Sequence, residues 1–205
     1  MFTKTLINAI DSAWPMLTIF IVVVVSLRLA SFANSAKKIC LYEELLDLFF
    51  IIYILLLFEL LTGTENTNGS GMNLVPFTEI LRYDVGSNLF YYNVIGNILM
   101  FVPFGFFASR YTKTKKMWPI FVLSLITSLT IELVQLQIGR SFDIDDIILN
   151  VVGGMSGYLL FVGLKAIKNH LPSFLQKDFI YNLICIIIIA ALVIYYLKFK
   201  GMWWF

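Results

Sequence analysis

Charge is scarce in this chain of 205 residues: 14% of it is Asp, Glu, Lys or Arg, against about a quarter in an average soluble domain. Histidine occurs once, at His170, in the turn after an apolar run, which leaves no Ser/His/Asp arrangement for nucleophilic catalysis. Cysteine occurs twice. Cys40 falls in a short connection and Cys185 inside the last apolar run, so neither a disulfide framework nor a CxxC or paired metal motif is present. A net charge of +2 is too small to argue for a nucleic-acid partner.

What fills the chain instead is apolar: 60% of it is hydrophobic and the mean hydropathy is +0.86. Runs of about 17–25 such residues span a bilayer core of about 30 Å. Six runs qualify: 13–33, 45–61, 89–109, 117–138, 147–164 and 179–197. The expectation is an all-α integral membrane protein, a polytopic bundle of about six transmembrane helices forming one membrane domain over 1–205. The second run is the weakest, because Asp47 and Glu59 bracket its charge-free heart. The first is long for a signal peptide and reads as a retained helix, with Trp14 at one interface and Arg28 snorkelling at the other.

Basic residues give the orientation. Lys37 and Lys38 follow the first run, Arg110, Lys113, Lys115 and Lys116 the third, and Lys165, Lys168 and Lys177 surround the turn after the fifth. Alternating helices place all of these on one side, which the positive-inside rule assigns to the cytoplasm. Both termini of this multi-pass cell-membrane protein are then expected outside, and so is the connection 138–147.

The longest connection, 62–88, falls on that same outer side. It opens on TGTENTNGSG, a flexible loop by composition, and continues as MNLVPFTEILRYDVG. There Leu74, Val75, Phe77, Ile80 and Leu81 are spaced as a short amphipathic or re-entrant piece, with Pro76 barring a long helix and Thr78 placed to cap a short one. The third run carries Asn93 and Asn97 on one helical face, Gly96 beside them, and Pro103, whose missing N–H frees a carbonyl that neighbours must satisfy. Interhelical packing and a functional site both account for the asparagines. Gly153 and Gly157 form a GxxxG packing face, and the last run reads as an anchor.

The stretch SLTIELVQLQIGRSFDIDDIILNVVGGMSG, 128–157, holds most of the polar groups that a membrane penalises. Glu132 is the acid of an otherwise uncharged run, and an ionisable group at that depth reads as functional by default. Gln135, Ser128 and Ser124 share its face. Glu132 lies six residues, roughly 9 Å, below the outer end of its helix. Asn97, Asn150 and Glu59 reach a similar level, with Arg140, Asp143 and Asp146 above them.

Three chemistries fit that cluster. A carboxylate pair does acid–base work, and burial disfavours the ionised form of Glu132 unless Arg140 reaches it. Asp143, Asp145, Asp146 and Asn150 offer the oxygens that Ca²⁺ or Mg²⁺ takes, but not at EF-hand spacing, so no metal and no cofactor is expected. Most plainly, Asp143 or Asp145 caps the fifth helix while its neighbours pair with Arg140.

The blocks NLVPFTEI, N93xxG96N97xxxxF101xP103xG105, S128xxIE132xxQ135 and R140xxDxDD146xxxN150xxG153xxxG157 resemble the VanZ-like family of bacterial membrane proteins. The likeness covers a core of about 73–157, flanked by the helices at 13–33, 45–61 and 179–197. It implies a cell-envelope protein of the kind linked, in Gram-positive bacteria, to low-level resistance to teicoplanin and other lipid-tailed glycopeptides. The expected partners are membrane lipids and a cell-wall precursor or lipoglycopeptide, with no nucleic acid. The family has no settled mechanism, so an envelope factor, a membrane-embedded enzyme acting on a lipid headgroup, and a transporter or flippase using Glu132 as an ion or proton site all stay open. The expected binding cluster is Asn97, Glu132, Gln135, Arg140, Asp143, Asp146 and Asn150, with Asn73, Pro76, Phe77, Asn93 and Glu59 around it.

Overall fold

The computed structural model describes residues 2–33, 40–62 and 71–199. The Lys37/Lys38 turn, most of the Gly/Ser/Asn-rich run and the Trp203/Trp204 tail lie outside them. Among the described residues six helices make up the bundle: α1 (Phe2–Ala33), α2 (Leu41–Thr62), α3 (Asn88–Thr112), α4 (Trp118–Gln137), α5 (Ile144–His170) and α6 (Asp178–Phe199). The protein is an all-α membrane bundle. By length and composition α3, α4, α5 and α6 can each cross a bilayer, and α1 contributes a shorter apolar stretch, Ala13–Arg28.

Asp47, one of the two acids that weaken the second run, is neutralised by neighbours. Arg28 of α1 meets Glu44 at 2.9 Å and Asp47 at 3.3 Å, so it is paired and not merely snorkelling. Arg110 of α3 also bonds to Asp47, and Tyr111 donates to the same carboxylate at 2.9 Å. This cluster joins three helices at one end of the bundle.

The helix ends follow local chemistry. Lys113 adopts a left-handed conformation after α3, and Pro119 sits in the first turn of α4. Beyond α4, Gly139 takes φ +85°, and two backbone bonds close a Schellman turn: Gly139 N–H to Leu136 O at 3.3 Å and Arg140 N–H to Gln135 O at 2.9 Å. That turn folds Arg140 back over the last turns of α4.

The centre of the bundle is a backbone contact between α3 and α5. A Cβ added to Gly153 would lie 2.2 Å from the Ile98 carbonyl oxygen, one on Gly157 2.1 Å from that of Val102, and one on Gly105 1.9 Å from that of Gly154. The GxxxG therefore is a packing face, with Gly105 as its counterpart across the interface. On the same helix Gly154 faces the Ser124 hydroxyl of α4, so α5 is held between α3 and α4. The window of α6 that can span a bilayer has no buried residue, as suits an anchor. Near Pro103, whose missing N–H leaves the Leu99 carbonyl without its helical donor, Tyr53 donates its hydroxyl to the next carbonyl, Met100 O, at 2.8 Å and ties α2 to α3.

The connection before α3 corrects one expectation. Residues 74–87 form successive turns with no regular helix, and Thr78 donates its hydroxyl to Val75 O at 2.9 Å instead of capping one. The reason is a rival acceptor. Asp145, 1% exposed, takes the backbone N–H groups of Phe77 at 2.5 Å, Glu79 at 2.7 Å and Ile80 at 3.1 Å. Just before these turns, β1 (Met72–Asn73) pairs in parallel with β2 (Phe142–Asp143). Leu74, Val75, Phe77 and Leu81 stay exposed, and Phe77 adopts φ +67°.

Candidate functional site

A cavity of about 120 Å³ opens where the last turn of α2, the first turns of α3 and α5, and the last turns of α4 meet. Six of the seven residues expected to cluster line it: Asn97, Glu132, Gln135, Arg140, Asp146 and Asn150. Asn93 lines it too. Asn93 lies in a π-turn, Tyr91–Ile95, inside α3, a one-residue widening often found at functional sites.

Glu132 is 1% exposed, and both its oxygens are held. The Asp143 backbone N–H donates to Oε2 at 2.9 Å. In the amide orientation that satisfies its neighbours, Gln135 donates to Oε1 at 2.9 Å and accepts from Arg140 at 3.1 Å. Gln135 thus links the Glu132 carboxylate to the Arg140 guanidinium. Arg140 also donates to the Leu61 carbonyl at 3.0 Å, which ties the end of α2 to the Schellman turn after α4. This arrangement follows from spacing: Gln135 is one turn after Glu132, and Gly139 returns Arg140 to the same face.

On the opposite wall Asn97 donates to Asp146 at 2.5 Å, joining α3 to α5. Below them Asn150, 4% exposed, donates through Nδ2 to Ser128 Oγ at 3.0 Å, while its Oδ1 has no partner. Ser128 and Ser124 are fully buried, as a polar stripe facing a neighbouring helix requires.

Asp143 lies outside this cavity. It caps α5, accepting from the Asp145 N–H at 2.9 Å, and accepts from Asn73 Nδ2 at 3.0 Å. Burial pushes its carboxyl up from the usual range. Asn73 and Asp143 line an adjacent, more open cleft of about 450 Å³, and Asp146 and Asn93 border both spaces. Pro76 and Phe77 are exposed, Glu59 is half-buried, and none of the three lines either space. Among the described residues no group of three or more His, Cys, Asp or Glu is placed to hold a metal ion.

Two contributors escaped sequence reasoning. The Leu61 carbonyl is a backbone atom and carries no side-chain signature. Asp145 is placed by the sequence as a cap, yet it binds a distant loop, and its only sequence signal is an acid at the start of a helix that Asp143 already caps.

Comparisons with known proteins bear on the whole of this region. The VanZ/LLP1 family model matches residues 45–166, from the early turns of α2 to the last turns of α5. Protein VanZ of Enterococcus faecium is 33% identical over 127 residues, covering 59% of this chain and 73% of the relative. No solved structure matches the chain. Every residue expected at the site, from Glu59 to Asn150, falls inside the family match, and the chain belongs to the VanZ/LLP1 family.

Proposed function

We propose that this protein is a cell-envelope factor that lowers susceptibility to teicoplanin and lipid-tailed glycopeptides, through the polar cavity acting on a surface lipid or cell-wall precursor. The observation that carries the reading is the convergence of Glu132, Gln135, Arg140, Asp146, Asn97 and Asn150 from three helices and one turn onto a single membrane-embedded space. Buried polar groups inside a bundle are costly, and the gathering of these around one open space supports a functional reading beside the interhelical bonds they make.

Sidedness is part of the proposal. Lys113, Lys115, Lys116, Lys165 and Lys168 lie at or just beyond helix ends opposite the cavity. Under the positive-inside rule this supports a cavity opening to the outer leaflet, where glycopeptides and their targets meet.

A second reading has an observation of its own. Glu132 and Asp146 line the same cavity, and a carboxylate pair in a buried setting is also the equipment of a membrane enzyme modifying a lipid headgroup, or of a flippase using Glu132 as a proton site. Envelope-lipid mass spectrometry separates the readings: a chemically changed headgroup means an enzyme, and an unchanged lipid in a different leaflet means transport.

The test of the site is Glu132→Gln and Asp146→Asn, singly and together, in a glycopeptide-sensitive Gram-positive host with membrane levels matched. Each single change is expected to abolish the drop in teicoplanin susceptibility, and the double change to add little, as for residues acting as a unit. Full protection by both single variants at normal expression would remove the cavity from the mechanism.

A further inference from the structure

The polar cavity does not end at the helix tips. Leu60 and Met100 line it, and both also line a second cavity of about 260 Å³ that is almost wholly apolar and runs between α2 and α3. On α2 this groove follows one face from Leu60 back to Phe49, eleven residues, or roughly 16 Å of helix. Half of a hydrocarbon core of about 30 Å is about 15 Å, so the groove is one leaflet deep. The one side-chain hydroxyl in it belongs to Tyr53, and that group is occupied by the Met100 carbonyl. A small polar space adjoining, at Leu60 and Met100, an apolar slot of leaflet length has the shape of an amphiphile.

The chemistry of the polar end narrows the headgroup. Two carboxylates, Glu132 and Asp146, face one guanidinium, Arg140. The unpartnered Oδ1 of Asn150, on a residue 4% exposed that lines this space, is a buried acceptor beside it. A buried acceptor left without a donor is destabilising, and a ligand N–H or O–H brought against it would satisfy it. A quaternary ammonium offers no such donor.

We infer that the joined cavities bind one membrane lipid of the leaflet at the cavity end, entering sideways between α2 and α3, with an acyl chain in the groove and a headgroup bearing N–H or O–H donors against Asn150. This rests on reading the polar cavity as the functional site, and it names the class of molecule that site takes: an amine- or hydroxyl-bearing lipid. Leu60 and Met100 mark the passage from headgroup to chain.

The test uses the full-length protein purified in detergent, with no antibiotic, and native mass spectrometry of bound lipid. Phosphatidylethanolamine, phosphatidylglycerol and phosphatidylcholine of identical chains are offered at equal concentration. The first two are expected to be retained at least fivefold more than the choline lipid. Asn150→Leu should reduce that ratio to near one, and Leu56→Trp, which fills the groove, should lower retention of all three at least threefold. Equal retention of the choline lipid by the wild-type protein overturns the headgroup assignment, whether or not the variants fold. Undiminished retention by a folded Leu56→Trp overturns the groove. Because susceptibility is not the readout, the two proposals fail separately: lipid selectivity without a teicoplanin effect removes the proposed function, and a Glu132-dependent effect without selectivity removes the lipid.

Discussion

Replacing Gly157 by alanine tests whether the α3–α5 backbone contact holds the bundle together. The added Cβ would lie 2.1 Å from the Val102 carbonyl oxygen, 2.7 Å from the Phe106 nitrogen and 3.0 Å from the Gly105 carbonyl carbon. All three are backbone atoms of a helix, so no side chain can swing aside and the helices themselves must part. Overpacking of a close-fitted interior costs typically about 1–3 kcal/mol, and rigid neighbours place this change near the upper end. The polar cavity sits on the same helix pair, so separation would also stretch the Asn97–Asp146 bond. At about 2–4 °C per kcal/mol for a chain of this size, Tm in detergent should fall by roughly 6–12 °C. Gly163→Ala is the control. It lies on the same helix with nothing within 4 Å of the new atom, and removing a helical glycine there should be neutral or stabilising by up to about 1 kcal/mol. A Gly157→Ala protein that melts within a degree of Gly163→Ala would refute the close-contact account, and Gly157→Leu, more severe, should fail to accumulate in the membrane.

Two further outcomes follow from the structure. Asp145→Asn removes the charge from an acceptor of three backbone N–H groups, so amide hydrogen exchange at Phe77, Glu79 and Ile80 should quicken by at least tenfold while α3 stays protected; unchanged protection at those three amides would remove Asp145 as the anchor of the loop. With Cys40 removed, a cysteine at Ser141 should react with an impermeant thiol reagent added to intact cells and one at Thr114 should not, and the reverse pattern would turn the cavity to the cytoplasm.

The parts of the site that were legible in the sequence are those governed by short-range periodicity. Glu132 is conspicuous as an acid within an apolar run, and the helical repeat alone puts Gln135, Ser128 and Ser124 on its face. Glycines and asparagines inside apolar segments likewise announced the α3–α5 contact and the inward wall of α3. What was not legible depends on backbone atoms or on long-range partners. No residue type reveals that the Leu61 carbonyl would meet Arg140. The three amides on Asp145 lie 65–68 residues upstream, and their capture by that carboxylate replaces the short helix that apolar spacing favours in 74–82. Glu59 shows the limit of depth as a guide. It reaches the right level, but its side of α2 is not the one that borders the cavity; Leu60 and Leu61 are.

The salt-bridge cluster at the far end says something about how the chain is made. Asp47 sits six residues into α2, where a lone carboxylate would oppose entry of the helix into hydrocarbon by about 2.5–3.5 kcal/mol at the most unfavourable depth. One of its cationic partners, Arg28, belongs to a helix synthesised earlier, and the other, Arg110, to a helix synthesised later. Asp47 therefore has its full set of cationic partners only once α1, α2 and α3 have all been made, and the same carboxylate that ties α2 to α3 lies at the far end of the helix pair that forms the apolar groove.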